Sequence, residues 1–193
     1  TAVWDMVQTC FVNRNEVVHT AMLCHAAEEA LHTIVRTIFT QLSELLEGPA
    51  STRSKRSETP PMSQRSGTSE VPEIGGYSLP CCVKVFGFLC SNLLRIPNEA
   101  SSAVTKAHQS SLQLLCLRLV RVVADTTGEA LCSNRCPPLL CMVRDDLSHA
   151  LLRMARAPGG SLEVLSESLG VMRCLWGVGR QHLKMQFQAL FNG

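Results

Sequence analysis

Apolar residues along this chain recur with the spacing of helices and almost nowhere with that of strands. From Glu16 to Glu47 the stripe Cys24, Ala27, Leu31, Ile34, Val35, Ile38, Leu42 and Leu45 follows a 3.6-residue period. The opposite side carries Glu28, Glu29, His32, Arg36, Thr40 and Gln41. Unbroken, that helix is about 45 Å long. A shorter helix precedes it, with Val3, Val7, Cys10 and Phe11 on one face, and Asn13-Arg14-Asn15 interrupts the pattern. The run Leu79–Leu94 differs, being apolar almost all round with Lys84, Ser91 and Asn92 as its chief polar positions. A helix of that kind has no face for water and needs cover from its neighbours.

Amphipathic helices suited to that covering follow. One is expected from about Glu99 to Asp125, dense in Leu and Val in its second half. Pro137-Pro138 opens the next, whose apolar face is Leu140, Val143, Leu147, Leu151 and Met154. Pro158-Gly159-Gly160 stops it, and Ser161 is a natural N-cap for the last helix, with Glu163 suited to its dipole. Gly177 and Gly179 are expected to kink that helix, and Leu183, Phe187, Leu190 and Phe191 resume its apolar face. Consecutive helix pairs of this size predict an all-α fold, an armadillo/HEAT-like α-solenoid, with an irregular bundle as the alternative.

Between the two helical parts the pattern stops. Residues 48–77 are rich in Ser, Thr, Pro, Gly, Lys and Arg, and Gly48-Pro49 terminates the preceding helix. Such a composition cannot bury enough surface to offset ordering entropy, so it reads as a disordered linker of about 30 Å span. Ser54 and Ser57, among Arg53, Lys55 and Arg56, suit a basophilic kinase, although a solvated basic tether is the simpler account. The chain thus divides into helices at 1–47, a linker at 48–77 and helices at 78–193. The stripe Leu31, Ile34, Ile38, Leu42 and Leu45 is too long for the one short helix before it. Its partner helices are expected outside the chain, which makes it a candidate interaction surface.

Composition narrows the function. With 46% hydrophobic and 18% charged residues the balance is globular, and a net charge of +2 exerts no strong pull on nucleic acid or anionic lipid. Aromatics at 5% leave few platforms for base stacking, so no nucleic acid is expected as a partner. No apolar run is long enough to span a bilayer, and the N-terminus shows no signal peptide. The absence of an initial Met suggests a fragment. Cys10, Cys24, Cys90, Cys116, Cys141 and Cys174 sit in apolar helical patterns, so reduced thiols in a cytoplasmic protein are expected.

No grouping of cysteines or histidines carries the spacing of a catalytic or metal-binding motif. Cys132, Cys136 and Cys141 lack paired CxxC spacing and a nearby fourth ligand, so no metal is expected there. His25 and His32 share a face with Glu28 and Glu29, which reads as solvated helix polarity. Cys81-Cys82 open a buried helix without a base tied to them, and no P-loop, nucleophile elbow or dinucleotide fingerprint occurs. No cofactor is implied.

Function enters through a resemblance. Gly76-Tyr77-Ser78-Leu79-Pro80-Cys81 followed by Val85-Phe86-Gly87-Phe88-Leu89 resembles the large Arf guanine-nucleotide exchange factors, of the Golgi-specific brefeldin-A-resistance type. There a Gly-Leu-Pro-Cys-like start opens the helical region upstream of the exchange domain. Val3-Trp4-Asp5-Met6 to Phe11 is similar to an earlier segment of that family, with a one-residue shift after Trp4. Ala27–Leu31 through Ile38–Leu42 looks like the end of its N-terminal dimerisation and cyclophilin-binding domain. Arg180, His182, Leu183, Lys184 and Gln186 resemble a signature late in the next helical region. Two departures are a shorter tether and Gly177-Val178-Gly179 in place of better helix formers.

The resemblance implies a non-catalytic regulatory and oligomerisation region of an Arf exchange factor acting in Golgi vesicle-mediated transport. It implies no catalytic residue here, since the exchange domain is not in the sequence. Implied partners are other domains of the same protein, a second copy in a homodimer, and an Arf GTPase through the parent protein. The implied location is cytoplasmic, peripheral on Golgi membranes. The alternative from the residues alone is a generic HEAT/armadillo-like adaptor.

Overall fold

The computed structural model describes residues 2–15, 20–47, 79–95, 103–157 and 161–191. Its helices are α1 (Ala2–Asn15), α2 (Ala21–Glu47), α3 (Leu79–Leu94), α4 (Ala103–Thr127), α5 (Pro137–Met142), α6 (Ser148–Arg156), α7 (Leu162–Gly179) and α8 (Lys184–Phe191). A 3-10 turn, Gly128–Cys132, follows α4, and one π turn, Val143–Leu147, joins α5 to α6. No strand occurs among the described residues, and the fold is all-α.

The helices form three hairpins: α1 with α2, α3 with α4, and α5–α6 with α7. They stack so that α1, α3 and α5–α6 make one layer and α2, α4 and α7 the other, with α4 packed on both α2 and α7. That two-layer stack is consistent with the α-solenoid expected from the helix pairs. Helices on both sides of residues 48–78 contribute to one apolar core. The linker itself, with Ser54 and Ser57, lies outside the described residues.

Helix α3 is the best-covered element. Val85, Phe86, Leu89, Cys90 and Leu93 are buried, as its all-round apolar pattern requires. Its polar positions are each provided for. Asn92 donates from Nδ2 to the Phe88 carbonyl at 2.8 Å. The Lys84 ammonium stands 4.5 Å from the Trp4 ring centroid. Trp4 and Phe11 of α1 both meet Phe88 edge-on, at 5.4 and 4.8 Å. The last carbonyls of α3, at Leu93 and Leu94, accept from Arg153 Nη2 of α6 at 3.0 and 2.8 Å. Helix ends leave such carbonyls without intrahelical donors, so this arginine acts as a tertiary cap.

Much of the α2 stripe, expected to await helices outside the chain, is already covered within it. Leu31 and Ile38 are fully buried, Leu42 is buried, and Ile34 is half-buried. Helices α1, α3 and α4 pack on α2, and each large apolar side chain so buried contributes about 1.5–3 kcal/mol. The side chain of Leu45 lies outside the described residues.

Other expectations shift locally. Helix α1 runs through Asn13-Arg14-Asn15, because Arg14 gains tertiary partners. Arg14 Nε meets Glu28 Oε2 at 3.3 Å and its Nη2 donates to Ser111 Oγ at 3.0 Å. Ser161 occupies the N-cap position of α7 with extended backbone, but its hydroxyl makes no capping bond; its carbonyl accepts from Leu165 N at 3.0 Å. Cys141 is exposed instead of packed in the apolar face. The helix expected to kink at Gly177 and Gly179 ends at Gly179 and resumes at Lys184.

Candidate functional site: a groove at the helix ends

Because α2, α4 and α7 form one layer, their C-terminal ends meet at one edge of the stack. The 3-10 turn and the turn after α7 fill the gap between them incompletely, leaving a groove of about 1120 Å³. Leu46, Asp125, Arg135, Trp176, Arg180 and His182 are among its lining.

Three local features build this edge. Thr127 ends α4 with its hydroxyl donating to the Val123 carbonyl at 2.7 Å, and Gly128 then turns the chain at φ +52°, in the left-handed region. Arg135 donates from Nη1 to the Leu46 carbonyl, closing the last turn of α2 from the neighbouring loop. Gly179 ends α7 against the 3-10 turn. A Cβ at that position would stand 2.5 Å from Cys132 Sγ and 3.2 Å from Cys132 Cβ. The Gly179 carbonyl accepts from both His182 N and Leu183 N, at 2.9 and 3.0 Å, which folds Leu183 inward until it is buried. Gly177, by contrast, faces open space.

Charge in the groove is mixed. Asp125 accepts from Cys174 Sγ at 3.4 Å and lies 4.0 Å from Arg121, which also reaches Glu167 at 3.3 Å. Burial, then the Asp125 carboxylate, pushes the Cys174 thiol above its ordinary range. Burial pushes Cys132 up to about 11, and Cys82 and Cys90 up to about 12. Cys116 is raised as well, chiefly by burial. Thiols held this way stay protonated near neutral pH, poor as nucleophiles and as ligands.

Cys132 and Cys136 are buried while Cys141 is exposed, and among the described residues no group of three His, Cys, Asp or Glu side chains is placed to hold a metal ion. His25 is exposed and His32 half-buried on α2. Cys81 and Cys82 are buried at the head of α3, where the Cys82 thiol lies 4.0 Å from the Ile38 carbonyl. The described lining of the groove brings apolar, acidic and basic side chains together at one edge of the stack.

The sequence signatures fall in two places. Leu79, Pro80 and Cys81 form the first turn of α3 and line no part of the groove. Arg180 and His182 line it, both exposed. Leu183 anchors the turn beneath, Lys184 starts α8 exposed, and Gln186 holds a buried Oε1 without a hydrogen-bond partner. Sequence reasoning missed the groove itself. Its traces are the glycines at 128 and 179, which mark a positive φ and a close approach only once neighbours are known.

Residues 78–193 match the family model described as Mon2/Sec7/BIG1-like, HUS domain. Among curated proteins, the chain is 26% identical over 194 residues to the ARF guanine-nucleotide exchange factor GNL2 of Arabidopsis thaliana, covering 99% of this chain and 13% of that protein. It is 27% identical over 118 residues to the ARF guanine-nucleotide exchange factor GNOM of the same plant, covering 60% of this chain and 8% of that protein. The chain therefore spans a small part of these relatives. No solved structure matches it.

Proposed function

We propose, from the premise that this chain belongs to the Mon2/Sec7/BIG1-like HUS-domain family, that it is a non-catalytic regulatory and oligomerisation region of an Arf guanine-nucleotide exchange factor. The observation that carries the reading is the match of residues 78–193, α3 to α8, to the HUS domain of Mon2/Sec7/BIG1-like proteins, taken with the similarity to two ARF guanine-nucleotide exchange factors. The similarity to GNL2 supports extending it through α1 and α2. On this reading the stack works by contact. It associates with itself and with other domains of the parent protein, and so positions or restrains the domain that acts on the Arf GTPase.

The setting would be vesicle transport at the Golgi, with the protein peripheral on the membrane. No described helix is long and apolar enough to cross a bilayer. We keep the division at 48–77 as part of the proposal, with 1–47 closing an N-terminal dimerisation domain and 78–193 opening the next region.

The test is nucleotide release from an Arf GTPase. The chain alone is expected to leave the rate at its spontaneous value. Added to the exchange domain of a relative such as GNOM, it is expected to bind that domain or change its rate. Exchange by the chain alone, or indifference of the exchange domain to its presence, would overturn the reading.

A further inference from the structure

We draw no further inference here: the strongest candidate, the groove where the C-terminal ends of α2, α4 and α7 meet, sets Asp125 and Glu129 against Arg135 and Arg180 in its lining, so its charge favours no one class of partner, and nothing in the structure shows what covers it.

Discussion

At the scale of single residues, two glycines two positions apart have opposite meanings. Both look in sequence like helix weakeners. Only Gly179 is held by its surroundings, since a Cβ there would press on Cys132 of the 3-10 turn. Gly179→Ala is therefore expected to cost about 1–3 kcal/mol through overpacking. Gly177→Ala, inside α7 with open space around it, should stabilise by about 0.5–1 kcal/mol, as removing an interior helical glycine does. Denaturant midpoints of the two variants, moving in opposite directions, check the pair. The thiols make a second residue-scale case. Cys82 and Cys90 keep their protons up to about pH 12 when folded, whereas an unfolded thiol ionises near its ordinary 9. Below that ordinary value their contribution is complete. As pH rises from about 9 toward 12 the unfolded state loses protons that the folded state retains, so stability falls. Chemical unfolding at pH 8 and pH 10.5 should show the loss, and Cys82→Ala should reduce it.

At the scale of elements, the legible helices were those whose own pattern was decisive. Helix α3 has the bounds that its all-round apolar run dictates, Leu79–Leu94, because full burial leaves no alternative placement. The glycines at 177 and 179 mark an interruption in the sequence, but that it is a full break and not a kink depends on the close approach of Cys132, from a distant part of the chain, at Gly179. The π turn at Val143–Leu147 has no sequence mark. It places the Ser148 hydroxyl on the Val143 carbonyl at 2.8 Å, five residues back. Helix α1 continued through Arg14 for a similar reason, since its stop was overridden by contacts with α2 and α4. Glu28 is the centre of that junction, receiving Arg14 at 3.3 Å and Arg118 at 3.1 Å and so joining α1, α2 and α4. Sequence reading placed it on a solvated face. Glu28→Gln should cost about 1 kcal/mol, most of it recovered in the background of Arg14→Ala, as a double-mutant cycle would show. Equal cost in both backgrounds would mean that the bridge contributes nothing.

At the scale of the molecule, periodicity specified helices and their pairing, and it could not specify which faces meet across the layers. Leu31 and Ile38 illustrate the difference. Their stripe reads as a surface awaiting outside helices, yet α1, α3 and α4 of this chain cover α2 so completely that both side chains are fully buried. The groove at the helix ends was illegible for the same reason, because it arises from the parallel ends of α2, α4 and α7 and not from any local motif. This packing makes a strong claim about folding. With Ile38 in the core shared by α2, α3 and α4, an aspartate there would leave a buried carboxylate unpaired among apolar side chains. The expected cost is about 3–5 kcal/mol or more, a large part of the stability of a domain this size. Its reach is the informative part. Ile38→Asp should lower amide protection in α3 and α4 as well as in α1 and α2, because the α2–α4 contact carries the stack across residues 48–78. Hydrogen exchange resolved along the chain measures this directly. If α4 keeps its full protection while α2 opens, the two sides fold as independent units, and the division of the chain at 48–77 is a division of stability as well as of sequence.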